Sequence, residues 1–189
     1  MPDKLFQHIQ KYIDLSANDE LVINKYINTL HLKKKEFLLL EGNVCKDLYF
    51  VEKGCLRMFF INKKDSEQIT QFAQEGWWLS DYMSFMNNTS SNYYIQSIEK
   101  TEIVSISNQK FEELLNVLPQ MERYFRIVMQ KATAAAQHRS KLMYEMSKEE
   151  FYVHFSTSFP EFMQRVPQYM IASYLGLTPE YMSELRKKK

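Results

Sequence analysis

Gln168-Tyr169-Met170-Ile171-Ala172-Ser173-Tyr174-Leu175, then Gly176-Leu177-Thr178, then Pro179-Glu180-Tyr181-Met182-Ser183-Glu184-Leu185-Arg186-Lys187-Lys188-Lys189 follow Val166-Pro167. The run reads as two helices joined by a tight turn. Pro167 suits the first position of a helix, where its missing N–H would have no partner anyway. Gly176 can take the left-handed backbone that ends a helix. Thr178 can cap the second helix, with Pro179 at its first position. Ala172 is small enough to let two helices cross closely, and Ile171, Leu175, Leu177, Met182 and Leu185 supply a shared core. A helix pair with a short Gly-containing turn is the motif whose second helix enters the DNA major groove. The same residues would also suit a helical hairpin that merely packs.

Charge favours the first reading. Residues 164–189 hold five basic and two acidic side chains, whereas residues 1–117 hold 13 basic and 16 acidic ones. The whole-chain value of +1 therefore hides a polarised molecule. Basic groups at the far end of a reading helix neutralise phosphates and release counterions, although a lysine-rich end can also be only a solubilising tail.

With 189 residues, 45% hydrophobic and 14% aromatic, the chain can bury a sizeable core and is not disordered. No apolar run reaches membrane-span length. Met1-Pro2-Asp3-Lys4-Leu5 lacks the layout of a signal peptide, so the cytoplasm is the expected compartment. Cys45 and Cys55 cannot supply a four-thiolate cluster and do not resemble a structural zinc set. They read as reduced, partly buried thiols.

Upstream, residues 3–28 read as short helices: Leu5, Ile9, Tyr12 and Ile13 recur at helical spacing, with Ser16 or Asn18 as a second start. From Thr29 to Ile106 the texture becomes β. Phe37-Leu38-Leu39-Leu40, Leu48-Tyr49-Phe50-Val51, Leu56 to Ile61, Ile69-Thr70-Gln71-Phe72, Tyr93-Tyr94-Ile95-Gln96 and Ile103 to Ile106 alternate with turn signals such as Glu41-Gly42-Asn43 and Lys53-Gly54. Many short strands predict a barrel or sandwich instead of a βαβ sheet. Asn108 to Val117 reads as a short helix, and Pro119 opens a longer one. Met121, Phe125, Val128, Ala132, Ala135, Arg139, Leu142 and Met146 then recur in a heptad pattern. That predicts a two-stranded coiled-coil seam between two copies of the chain, with Arg139 as a polar interruption. The alternative is an apolar stripe packed on its own domain. Ser147 with Glu150 makes a capping box for a helix carrying Phe151, Tyr152 and Phe155, and Pro160 starts another turn of helix. The fold class expected is α+β. A sensor domain would span residues 1–117, a dimerisation helix 118–146 and a helix-turn-helix domain 147–189.

This order resembles the Crp/Fnr family of bacterial transcription regulators. The matching stretches are Glu41-Gly42 with Asp47-Leu48-Tyr49-Phe50-Val51 and Lys53-Gly54; Glu75-Gly76-Trp77-Trp78-Leu79-Ser80-Asp81; and the C-terminal Ile171-Ala172 to Lys188. The resemblance implies a cyclic-nucleotide-binding-like jelly-roll β-barrel and a winged-helix-like C-terminal domain lacking most of its wing. It also implies partners: double-stranded DNA, a second copy of the chain and RNA polymerase, but no membrane. In the family, a Gly-Glu pair holds the ribose of a cyclic nucleotide and a later Arg pairs with its phosphate. Here Ser80-Asp81 stands at the pair and Ser91 near the Arg, and residues 82–98 contain no Lys or Arg. A buried phosphate without a cation would be left uncompensated. Cyclic AMP is therefore not expected. A different small-molecule effector or an empty pocket is, lined by Ser80, Asp81, Tyr82, Ser91, Asn92 and Tyr93.

The resemblance further implies that Thr178, Pro179, Glu180, Tyr181 and Ser183 face bases or nearby backbone while Arg186, Lys187 and Lys188 hold phosphates. Glu180 would accept from a cytosine amino group. Glu184 falls where relatives often present an arginine, and supports the rival reading: an effector-binding or protein-interaction barrel whose helix pair no longer reads DNA. His8, His31, His138 and His154 are scattered without a metal or haem motif, and no catalytic triad or phosphate loop occurs, so no enzyme is expected.

Overall fold

The computed structural model describes residues 2–187 and divides into two compact units, Met1–Phe60 with Gln71–Met129 and Ile61–Thr70 with Gln130–Lys189. Along the chain, α1 (Asp3–Gln10) and α2 (Ala17–Tyr26) precede β1 (Asn28–Leu32), β2 (Phe37–Leu39), β3 (Asp47–Lys53), β4 (Cys55–Ile61), β5 (Glu67–Gln74) and β6 (Trp78–Leu79). A short α3 (Tyr82–Asn87), β7 (Tyr94–Ser97), β8 (Thr101–Ser107) and α4 (Asn108–Val117) follow.

The strands form two four-stranded sheets, β1-β8-β3-β6 and β2-β7-β4-β5. The expected jelly-roll is thus present, as two facing sheets that do not close into a barrel. β6 is two residues long, and β2 is three long with an irregular register against β7, too little ladder to close the ends. β1, β6 and α3 escaped the sequence reading because their apolar runs are so brief.

Strand alternation explains the continuous apolar run of β3. Tyr49 and Val51 face the space between the sheets with Leu56, Leu79, Ile95 and Ile103. Leu48 and Phe50 face the other way, into a helical layer built on Leu5, Ile9, Leu114, Met121, Tyr124 and Phe125. Fully buried Tyr124 sits in that layer: its hydroxyl accepts the Trp78 indole N–H at 2.8 Å and lies 2.8 Å from His8 Nδ1. The N-terminus of α1 is held by Glu52, whose two oxygens accept the N–H groups of Leu5 at 2.8 Å and Lys4 at 3.1 Å. Gly54 turns β3 into β4 at φ +98°, where a Cβ would meet Thr101 Oγ1 at 2.6 Å and Thr101 Cα at 2.7 Å.

The long helix α5 (Gln120–Glu145) runs through the division between the units. The expected seam of eight positions is not free along its length. Met121 and Phe125 are only 2% and 6% exposed and pack in their own unit, Phe125 against Trp78 and Phe111. Leu142 is buried too, and Arg139 is bonded to backbone carbonyls of its own chain. Val128 and Met146 are half-buried, and Ala132 and Ala135 are exposed, as is every residue from 130 to 138. A heptad period fixes which residues share a face but not what covers that face.

The second unit adds α6 (Lys148–Ser158), α7 (Pro160–Arg165), α8 (Gln168–Leu175) and α9 (Pro179–Lys187). Ser147 and Glu150 form the expected capping box, and Pro160 opens α7. Phe151, Tyr152, Phe155, Val166, Met170, Ile171, Leu175, Leu177, Met182 and Leu185 are among this unit's buried apolar residues.

Candidate functional site

The cassette, the stretch from Ser80 to Tyr93 that carries the six pocket candidates, begins where β6 ends. Asp81 is the N-cap of α3: its Oδ1 accepts Met83 N–H at 3.2 Å and Ser84 N–H at 3.4 Å. Its other oxygen accepts the Ser91 hydroxyl at 2.7 Å. Asp81 is 7% exposed and Ser91 2%. Ser91 Oγ also accepts Tyr93 N–H at 3.0 Å, and the Ser91 backbone is stitched to the turn at residues 41–43 by Gly42 N–H to Ser91 O and Ser91 N–H to Asn43 O, both 2.8 Å.

Around this pair the small polar residues are equally engaged. Buried Ser80 donates to the Asp47 carbonyl at 3.0 Å and lies 3.2 Å from Cys45 Sγ. Ser84 accepts Cys45 N–H at 2.8 Å. Burial pushes the Cys45 thiol up, so it stays protonated, and raises the Tyr82 phenol to about 12. Of the six pocket candidates the structure brings Ser80, Asp81 and Ser91 together inside. Tyr82 and Tyr93 are half-buried and Asn92 is exposed.

The polar atoms of this segment are already paired within the chain. The carboxylate that would hold a ribose hydroxyl already has three donors from its own chain, and the residue where a cation would meet the phosphate is one of them. Arg57, which the sequence reading missed, does not substitute. It is 4% exposed, and its Nε and Nη2 both donate to Gln96 Oε1 at 3.0 and 2.7 Å. It also stacks 4.1 Å from the Phe59 ring centre. Arg57 and Gln96 are register partners on β4 and β7, alternating with Leu56 and Ile95 of the inter-sheet core, so they lie on the other face of that sheet. An arginine inside an apolar strand run gives no periodic signal, and only the pairing with β7 reveals its partner.

The helix pair is built largely as its residues dictate. α8 ends at Gly176, φ +68°, with Leu177 N–H returning to the Ala172 carbonyl at 2.9 Å. Thr178 Oγ1 accepts Tyr181 N–H at 3.2 Å, so Thr178 caps α9 as expected, and Pro179 is its first residue. Pro167 is corrected: with ψ 136° it is the residue before α8, not its first helical position. Met182 and Leu185 turn inward. Outward on α9 are Pro179, Glu180, Ser183, Glu184, Arg186 and Lys187, with Thr178 exposed just before it and Tyr181 half-buried. Lys188 lies outside the described residues. The face spaced at three and four residues, Glu180-Ser183-Glu184-Lys187, therefore presents two carboxylates, a hydroxyl and an ammonium to the outside. Among the described residues no helix is long and apolar enough to cross a membrane, and no cluster of three or more His, Cys, Asp or Glu could hold a metal.

A family model for the cyclic nucleotide-binding domain matches residues 29–117. The transcriptional activator protein Anr of Pseudomonas protegens is 28% identical over 183 residues, covering 91% of this chain and 72% of that protein. Its namesake from Pseudomonas aeruginosa is 27% identical over 167 residues, 82% of this chain and 67% of that protein. Among solved structures, the c-di-GMP-responsive global regulator CLP of Xanthomonas campestris superposes with a TM-score of 0.75 at 13% identity, over 92% of this chain and 91% of that one. FixK2 of Bradyrhizobium japonicum gives 0.69 at 18% identity, over 86% and 83%. At such identities the structural likeness speaks for the fold alone. A jelly-roll, a long helix and a capped helix pair, in one chain with these relatives, make the protein similar to the Crp/Fnr transcription regulators.

Proposed function

We propose that this protein is a sequence-specific, DNA-binding transcription regulator that acts as a homodimer, and that its cassette does not take a cyclic nucleotide. The observation that carries this is the helix pair: α8 and α9 joined at Gly176, with the Met182–Leu185 side of α9 buried and the Glu180-Ser183-Glu184-Lys187 side open. Two such helices would enter successive major grooves about one helical turn apart and read a palindrome. Glu180 would accept from a cytosine amino group, and Arg186 and Lys187 would contact phosphates. The partner copy would pair along the exposed Ala-rich part of α5, residues 130–138 with Val128, because the ends of the expected seam are occupied within the chain.

The test is selection from a random duplex library by the purified protein at low salt, followed by binding of the selected sequence with and without cyclic AMP, and sedimentation of the free protein. A palindromic consensus bound by a dimer and indifferent to cyclic AMP is the expected result. A monomer that enriches no sequence would replace this reading with that of an effector-binding or protein-interaction module, to which the outward carboxylate of Glu184 belongs more naturally.

A further inference from the structure

The outer part of the β4–β5 hairpin, Ile61–Thr70, belongs to the C-terminal unit although its strands continue into the second sheet. Hydrogen bonds to α8 account for this. Ser173 on α8 accepts Ile69 N–H at 2.9 Å through its hydroxyl and donates the same hydroxyl to the Glu67 carbonyl at 2.7 Å. It behaves as an added rung on the edge of β5. The Gln68 side-chain amide donates to the Ser173 carbonyl.

From α5, the Arg139 guanidinium donates to the Thr70 carbonyl and, at 3.0 Å, to the Tyr174 carbonyl, and stacks 3.8 Å from the Tyr174 ring centre. Arg139 Nε is buried without a hydrogen-bond partner, and burial lowers the pKa of this side chain. A desolvated cation and a serine inside a helix are both unfavourable locally. Both are explained by what they hold: four consecutive residues of β5, 67–70, against the first helix of the reading pair.

We propose that Ser173 and Arg139 are positioning residues that clamp β5 to α8, so that the reading helix α9 is presented in one fixed orientation instead of swinging on its connections. Within this unit the clamp ties the helix pair to residues 67–70 of the hairpin as well as to α5. A clamp of this kind matters little for one helix meeting one half-site. It matters when two helices must meet two half-sites at once, because loose heads must be ordered on binding. The inference rests on the DNA-reading homodimer proposed above.

The test compares the palindrome selected by the wild-type protein with a duplex carrying only one of its halves. Ser173→Ala with Arg139→Met is expected to weaken palindrome binding about tenfold, the effect of losing roughly 1.4 kcal/mol of ordering from several hydrogen bonds, while half-site binding is unchanged. Ser173→Thr, which keeps the hydroxyl, should restore the wild-type ratio in the Ser173 single variant. Amide exchange at Ile69 should speed up in Ser173→Ala while exchange in α9 stays as it was. Equal weakening of palindrome and half-site, or no weakening of either, would overturn the clamp alone. A wild-type protein that selects no duplex would overturn the DNA reading and the positioning role together.

Discussion

Asp81→Ala tests the claim that the cassette is filled by its own hydrogen bonds. The change removes three acceptor contacts at once. The N–H groups of Met83 and Ser84, at 3.2 and 3.4 Å, are long, so their loss sits at the lower end for an N-cap, about 0.5–1 kcal/mol. The Ser91 bond, at 2.7 Å to a buried carboxylate, belongs to the stronger class of about 1.5–3 kcal/mol. Ser91 keeps a partial alternative acceptor in the Tyr93 carbonyl at 3.4 Å, which returns part of that loss. The net expectation is a destabilisation of about 2–3 kcal/mol. Both tryptophans, Trp77 and Trp78, lie in the N-terminal unit, so urea unfolding followed by tryptophan fluorescence reports on that unit. With a urea slope of roughly 2–3 kcal/mol/M, the midpoint should fall by about 1 M. Ser91→Ala should give more than half of this effect, and the double variant should be less unstable than the two singles added together. A midpoint within about 0.2 M of wild type, or strict additivity, would refute the account. The carboxylate would then be available to a ligand after all.

Other perturbations separate neighbouring effects. Gly54→Ala should destabilise by more than about 3 kcal/mol, since it combines positive-φ strain with overlap against the Thr101 backbone, whereas Gly176→Ala, with open space around it, should lose only about 1–2 kcal/mol; thermal melts would compare them. Lys187→Ala should weaken binding to all duplexes alike and reduce the salt slope of log affinity by about 1, and an unchanged slope would remove Lys187 from the phosphate contacts. Hydrogen bonds from Ser147, the side-chain one first, hold the Glu150 carboxyl below its ordinary range, and those from Ser16, the backbone one first, do the same for Asp19. A depressed folded-state value means that this support is fully present above the ordinary carboxylate pKa and is lost as pH falls through the lowered one. The melting difference between wild type and Ser147→Ala should accordingly be constant near neutrality and shrink in acid. Tyr124→Phe should destabilise the N-terminal unit by about 1–3 kcal/mol, because it strands the buried Trp78 N–H; a neutral result in the same urea assay would count against that bond.

Local chemistry was legible wherever a short stretch carries its own partner. The Ser147–Glu150 box, the Gly176 helix end and the Thr178 cap each close within a few residues, so spacing alone specifies them. The strands with long apolar runs were equally readable, while β6 and α3, defined by what they pack against, were not. Within the cassette, the sequence marked positions 81 and 91 and the lack of a cation between them. That the two side chains bond to each other followed only from the fold, which returns residues 88–92 to the turn at 41–43.

What the sequence by itself determined, then, is the order of elements, the capped helix pair and a run from 82 to 98 without Lys or Arg, because these depend on residue type and short spacing. Tertiary structure alone decided how each amphipathic face is used. It gave Met121 and Phe125 to the chain's own core, turned Arg139 from a seam residue into a bridge between β5 and α8, and matched buried Arg57 with Gln96. A periodic pattern states which side chains travel together on one face. Which surface meets them is set by contacts between residues far apart in the chain, and these exist only once the fold has formed.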